Sequence, residues 1–327
     1  MKHVATTLLL LSTIAAPAQL AANWSRLRNP VLSYPHWSIK DPAMARSDGT
    51  YYVFFSAFYP DRGRLRSHVV EVSTRDFRTF SEPIVNFDGE ADGFIGLCTP
   101  DVEKLDDTWV MVFNSWGDDA HRPDQLFYKT SPDLVHWSAT RPLAHEITAG
   151  RSVIGPSITR IGHLYYASWR DGLEDDPKNI RVRIASAAAL DGPWRYAGSG
   201  NATLVMASGA PNGRIHENEQ FVRIDGTLRM ISDDYNDTAE GAFLYTLANL
   251  ADPLTWTRGY ELQIAAEAFN TATRCEAASL YDWREQDGYF YLIYDAANEQ
   301  KTYEGRGWKR LALARSRDLI HWSAAGH

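Results

Sequence analysis

The feature that most constrains this chain is an internal repeat. The stretch "DPAMARSDGTYYVFFS" from Asp41 returns in altered form as "TPDVEKLDDTWVMVFNS" from Thr99 and "GPSITRIGHLYYASW" from Gly155. It returns again as "NEQFVRIDGTLRMISDD" from Asn218 and "EAASLYDWREQDGYFYLIYDA" from Glu276. Each copy reads as a strand, a turn marked by Asp-Gly or its equivalent, and an apolar second strand. The aligned second positions, Pro42, Pro100, Pro156, Glu219 and Ala277, lie 58, 56, 63 and 58 residues apart. A second marker keeps step: the aromatic anchors Phe80, Trp137, Trp194, Trp256 and Trp322 are spaced by 57, 57, 62 and 66. One period in two independent markers indicates a solenoid, a propeller or an array. Each unit has room for four short strands, and no helical periodicity competes. The expected fold is therefore all-β, one five-bladed β-propeller of four-stranded antiparallel blades, whose radial closure leaves few exposed edges. The segment "WSRLRNPVLSY", Trp24 to Tyr34, precedes the first repeat and is expected to close the ring against the last.

The N-terminus reads differently. Lys2 and His3 are followed by an apolar run, Val4 to Ile14, and by "AAPAQ", with Ala16 and Ala18 at cleavage positions. This is a secretory signal peptide over residues 1–18, too short for a spanning helix. The mature chain is expected to begin near Gln19 and to form a single domain over 19–327, secreted or periplasmic, with no membrane anchor. A net charge of −8 argues against a nucleic-acid partner, which needs a basic face. Eleven Trp, sixteen Tyr and thirteen Phe suit a β protein and equally suit stacking on sugar rings. Cys98 and Cys275 are the only cysteines. Export permits a disulfide, but the repeat sets them two blades apart, so free buried thiols are expected. Two cysteines without a His-x-x-x-His pair build no zinc site of the usual kind, and no metal ligands are assigned.

In a propeller the first strand of each blade lines the central channel, and the strand heads converge on one pocket. Here the heads read "IKDPA", "LCTPD", "VIGPS", "HENEQ" and "RCEAA", bringing Asp41, Asp101, Glu217, Glu219 and Glu276 together. Several acids in one depression cost desolvation and mutual repulsion. Such crowding raises at least one proton affinity, which is what a general acid needs. Any single one of them, Asp41 included, also reads as strand punctuation or a turn cap; the set as a whole points to chemistry.

These residues carry a resemblance. "NPVLSYPHWSIKDPAM" is similar to the start of blade one in glycoside hydrolase family 43 and its five-bladed relatives, the arabinanases, β-xylosidases and arabinofuranosidases. "TPDV" resembles their second-blade Ala-Pro-Asp, and "ENEQFVRIDG" matches the spacing of their fourth-blade Glu-Gly-Pro-His run. The "DLVHWS" and "DLIHWS" pieces are common in these enzymes. The resemblance spans nearly the whole mature chain through short motifs. It implies Asp41 as general base and Glu217 as general acid. The family's third carboxylate, in a blade-three Ile-Asp-Pro-Ser, is absent, because Gly155 stands there. The blade-five histidine is also missing from "TRCEAASL". Asp101, Glu219 or Glu276 is left to supply the missing charge, with Asp101 at the same channel-facing parity as Asp41.

The implied activity is hydrolysis of glycosidic bonds in plant or algal polysaccharides or their oligosaccharides. Arabinofuranosyl, xylosyl and galactosyl linkages are the candidates. Heads from blades one and four face each other across the channel. That suits inversion, which needs carboxyl groups roughly 6.5–9.5 Å apart rather than the about 5–5.5 Å of retention. No cofactor is required, and the channel leaves room for a structural Ca2+. His216 reads as a hydrogen-bonding neighbour of Glu217 or as a proton donor. Arg274 either holds a substrate group or pairs with Glu276. Trp116 and Trp169 form either a sugar-stacking wall or packing between blades. Two other readings compete: a catalytically silent glycan-binding propeller, supported by Gly155, and a sialidase. The sialidase is opposed by Val135, where its Asp-box needs Gly, and by five repeats in place of six.

Overall fold

The computed structural model describes residues 20, 23–117, 123–172, 176–236, 240–298 and 309–326. The signal-peptide reading of residues 1–18 lies outside them. The Asp-Gly turns fold as the sequence predicts. Asp48-Gly49 and Asp225-Gly226 have positive φ at both residues, as does Arg62-Gly63. Each joins adjacent antiparallel strands through a two-residue loop, closing Ser47 onto Thr50, Ile224 onto Thr227 and Asp61 onto Arg64.

The chain is all-β. Strands β1 (Ser38–Ser47), β2 (Thr50–Asp61), β3 (Arg64–Thr74) and β4 (Val85–Phe87) form one antiparallel group. A second comprises β5 (Gly96–Leu105), β6 (Thr108–Trp116), β7 (Leu126–Ser131) and β8 (Arg141–Pro142). These two are joined into one eight-stranded sheet by a single parallel bridge, Ser67 to Gly96. Only glycine permits that approach, since a Cβ at 96 would lie 2.3 Å from the Ser67 hydroxyl. Next come β9 (Val153–Ile161), β10 (Leu164–Asp171), β11 (Arg181–Ala187) and β12 (Arg195–Asn201). Strand β13 (Thr203–Met206) then adds in parallel to the outer edge of β14 (Ile215–Ile224), β15 (Thr227–Tyr235), β16 (Glu240–Asn249) and β17 (Asp252–Glu261). The last group is β18 (Ala278–Asp282), β19 (Phe290–Ala296), β20 (Arg310–Ser316) and β21 (Trp322–Ala324). Among the described residues no helix is long and apolar enough to cross a membrane.

First strands pack in turn: β1 on β5, β5 on β9, β9 on β14, β14 on β18 and β18 on β1. Apolar clusters fill the spaces between neighbouring groups. Phe54 and Val69 meet Met111 and Phe113, for example, and Val112 and Tyr128 meet Ala167 and Trp169. The Trp24–Tyr34 segment does pack on the last group. Val31 and Leu32 N–H donate to the Leu311 carbonyl, and Trp24, Leu27 and Leu32 join Tyr291 and Leu313 in one cluster. Cys98 and Cys275 are both buried and free.

The "DLVHWS" and "DLIHWS" pieces make matching outer turns. Asp133 Oδ1 accepts from the N–H groups of Val135 (3.0 Å) and His136 (2.8 Å), and Asp318 Oδ1 from Ile320 (2.9 Å) and His321 (2.8 Å). Leu134 and Leu319, both at φ 66°, turn inward as buried anchors.

Candidate functional site

Every first strand but the last carries the same distortion near its head. Asp41, Thr99, Gly155 and Asn218 all have positive φ, at 52, 56, 64 and 53°. Pairing slips between Lys40 and Ala43, between Cys98 and Asp101, and between Glu217 and Gln220. In the third group the slip lies opposite Gly155. This is a β-bulge, which re-aims the side chain at its apex. Asp, Asn and Gly tolerate the left-handed backbone better than other residues. Asp41 therefore has a conformational reason to be there in addition to any chemical one.

The bulge heads meet around one narrow central cavity, the channel, lined by Asp41, Pro42, Asp101, Asn218 and Glu219, among others. Asn218 Nδ2 donates to Asp41 Oδ1 at 3.4 Å, so the heads of β1 and β14 touch. Lys40 Nζ donates to Glu276 Oε1 at 2.6 Å and lies 3.5 Å from Asp41 Oδ1. Glu276 also binds the Lys309 ammonium, which donates in turn to Asp295 Oδ2 at 2.9 Å. Asp295 Oδ1 accepts the Asp41 and Ala277 N–H groups, each at 3.2 Å. Burial pushes the Asp295 carboxyl well above its usual range and lowers the Lys309 ammonium to about 7. Asp41 itself is only 5% exposed, so it is not the wet-cleft residue that a strand head suggests.

Glu217 is held differently. The guanidinium of Arg170, buried at the end of β10, donates to Glu217 Oε2, and the Tyr235 hydroxyl lies 3.4 Å from the same oxygen. A cation in contact favours the charged carboxylate. Beside it His216 Nδ1 lies 2.6 Å from Asp234 Oδ1. Asp234 is buried and also accepts from Ser232 Oγ (2.7 Å), Asn212 Nδ2 (2.8 Å) and the Tyr245 hydroxyl. This arrangement fixes the imidazole through Nδ1 and leaves Nε2 for a ligand. His216 and Tyr235 line a cavity of about 570 Å³ between β11 and β14.

The other expected site residues are placed variously. Asp101 lines the same channel as Asp41, although the bulge apex that matches Asp41 is Thr99. Asp101 accepts the Ser157 hydroxyl (2.7 Å) and the Ile158 N–H (3.3 Å). Burial raises its carboxyl to about 6. Glu219 lines the channel with neither carboxylate oxygen hydrogen-bonded among the described residues, and burial raises it to about 8. Glu276, 1% exposed between two lysines, has no face for a sugar. Arg274 is exposed, does not pair with Glu276, and reaches the Ile264 carbonyl at 3.4 Å. Trp169 is fully buried in the core beside β6, which rules out a stacking wall there. Trp116 is half-buried, edge-on to Phe58 at 5.1 Å, and lines a separate depression with Arg64 and Leu65. Gly155 brings no carboxylate for a steric reason: its Cβ would lie 3.0 Å from the Asn218 nitrogen.

Sequence reasoning missed Lys40, Arg170, Asp233, Asp234, Asp295 and Lys309. A signal was present. "SWRD", "ISDDY" and "LIYDA" each end an apolar second strand in charge, which is costly unless paired. Asp233, Glu240 and Glu276 offer carboxylate oxygens within 4.8 Å of one another, an all-oxygen set that suits a hard cation, although Lys309 already brings positive charge to Glu276.

Comparison of the sequence with protein-family models and with curated proteins gives no match. Comparison of the structure does. A glycosyl hydrolase from Bacteroides ovatus is similar at a TM-score of 0.64 and 14% identity, with 91% of this chain and 93% of that one covered. An α-L-arabinofuranosidase from Lactobacillus brevis is similar at 0.63 and 13%, covering 94% and 97%. A family-43 β-xylosidase/α-arabinofuranosidase from a compost microbial metagenome, solved with xylotriose in a calcium-free form, is similar at 0.59 and 15%, covering 88% and 93%. The chain has the fold of the family-43 glycoside hydrolases.

Proposed function

We propose that this chain is a glycoside hydrolase and that its five antiparallel strand groups are the blades of one propeller. The sequential packing of first strands, β18 back onto β1 included, supports the ring. One observation carries the chemistry: the bulge heads of β1 and β14 meet through Asn218 and Asp41, which brings two acid-bearing strands to one channel mouth. In the inverting reaction Asp41 takes a proton from water as the water oxygen bonds to the anomeric carbon. The bond to the leaving oxygen breaks, and that oxygen takes the proton of Glu217. Both carboxyls are reset by exchange with solvent. Arg170 stabilises Glu217 as an anion, so protonation of Glu217 requires this ion pair to loosen when substrate binds. His216, fixed by Asp234, is the alternative donor. The reaction as written draws on no cofactor; Asp233, Glu240 and Glu276 would hold a hard cation through carboxylate oxygens.

Screening aryl glycosides and arabino-, xylo- and galacto-oligosaccharides tests the activity. Release of a sugar of inverted anomeric configuration supports it; no turnover on any glycan that binds leaves the silent glycan-binding reading, which Gly155 and the Arg170–Glu217 pair favour. Sequencing the exported protein, expected to start near Gln19, tests export.

A further inference from the structure

We propose that the cavity between β11 and β14 is a subsite for the anionic group of an acidic glycan, a uronate carboxylate or a sulfate ester. The proposal rests on the hydrolase reading only in making the bound glycan the substrate. Lys178, Arg181 and Arg214 line this cavity, and among the described residues no Asp or Glu does. That is unexpected by composition, for the chain holds 41 acidic residues against 33 basic ones. It also contrasts with the arginines that carboxylates hold elsewhere. Arg151 and Arg183 bind Asp171, Arg170 binds Glu217, and Arg284 binds Asp225 and Asp282.

Among the described residues Arg181 and Arg214 are anchored without an acidic partner. Arg181 Nη1 donates to the carbonyls of Lys178 (2.7 Å) and Ile180 (2.6 Å). Arg214 Nη1 donates to the Asp234 carbonyl at 3.2 Å, and its guanidinium lies 4.7 Å over the Phe243 ring. Neither fork meets a carboxylate among the described residues, and both retain further N–H donors, the chemistry that recognises carboxylates and sulfates. At about 570 Å³ the cavity is within the size range of small-ligand sites. His216 and Tyr235 line the same cavity and adjoin Glu217, one in sequence and the other 3.4 Å from its carboxylate. An acidic unit held there lies next to the bond to be cut.

The test uses the Glu217→Gln protein on an immobilised panel. The panel holds galacturonan and glucuronoxylan, each beside its carboxyl-reduced form, and a sulfated galactan beside its desulfated form. At least one acidic glycan is expected to bind at least tenfold more tightly than its neutral counterpart, and which one binds identifies the anion. Adding Arg181→Gln and Arg214→Gln is expected to remove at least tenfold of that affinity with the melting curve retained. Equal binding of both forms, binding of neutral glycans alone, no binding of any acidic glycan, or affinity that survives the double substitution would overturn the subsite. Hydrolysis of neutral glycans as efficiently as acidic ones defeats this proposal and leaves the hydrolase standing. Tight acidic binding by the unsubstituted protein without turnover does the reverse.

Discussion

The outer turns and the channel mouth are both rich in carboxylates and use them in opposite ways. Asp133 and Asp318 are exposed, and hydrogen bonds from the backbone N–H and ring of the following histidine hold their carboxyls below the usual range. Each is explained by the few residues of its own turn. Around the channel Asp41 comes from the first strand group, Glu217 from the fourth, and Glu276 and Asp295 from the last, and they bind Lys40, Arg170 and Lys309. Nothing local accounts for them. A carboxylate satisfied by its own loop reports on folding, whereas one that is buried and partnered across the molecule reports on function or on an ion network that holds the centre together.

The largest effect that separates the two regions is on turnover. Asp41→Asn and Glu217→Gln are each expected to lower kcat on a confirmed substrate by at least about 10²–10⁴-fold. Asp133→Asn in the outer turn should leave kcat within about twofold, since it is remote from any proton transfer. If Glu217 is the acid, Glu217→Gln recovers with an activated aryl leaving group; if His216→Asn recovers instead, the proton comes from His216.

Next in size is stability. Lys309→Met strips a buried cation from Glu276 and Asp295, and breaking a buried pair this way costs about 3–5 kcal/mol. Urea titration reads this as a lower midpoint at unchanged slope. A loss no greater than that of Asp318→Asn would erase the distinction between the two regions.

Arg170→Gln sharpens it through pH. Removing the cation favours the protonated form of Glu217. Activity that depends on Glu217 as acid falls as pH rises through its pKa, so the alkaline limb of kcat/KM should move upward. A packing role alone would lower the whole profile without moving that limb.

The smallest effect concerns Glu219. Its folded pKa of about 8 lies above the ordinary value of 4.5, so the folded state holds a proton that the unfolded chain has lost. Stability therefore declines as pH rises from about 4.5 to 8. Glu219→Gln, neutral at every pH, should raise Tm by a few degrees at pH 8 and leave it unchanged at pH 5.

Much of the fold was legible because a repeat states itself several times over. The period located the strand heads, and Asp48-Gly49 and Asp225-Gly226 marked their own turns. Only motif residues stood out in the sequence: Asp41 lines the channel, His216 lines the cavity between β11 and β14, and Glu217 lies in β14 beside His216. Asp101 lines the channel, but its carboxyl is taken by the Ser157 hydroxyl and the Ile158 N–H, partners from the next strand group that no spacing within its own motif contains. In "SWRD" the aromatic drew attention and the neighbouring guanidinium did not. Alternation turns Trp169 into the core and frees Arg170 to face Glu217. Lys309 lies far along the chain from Glu276 and Lys40, and no periodicity pairs them. Such partners follow from how the groups stack, which the sequence of any single strand does not contain.

The left-handed bulge has a consequence for how such a molecule can change. It fixes where the side chain at residues 41, 99, 155 and 218 points, while the ladder on either side holds the backbone whichever residue is present. Asp, Thr, Gly and Asn already occupy these equivalent sockets in one chain. A socket can therefore be refitted with a base, a hydrogen-bond donor or an empty space, subject to its neighbours: Asn218 touches Asp41 and leaves little room at Gly155. A scaffold of this kind separates the inheritance of shape from the inheritance of chemistry. New specificities become reachable by single substitutions at positions where folding asks for tolerance of a positive φ and, at 155, for room beside Asn218.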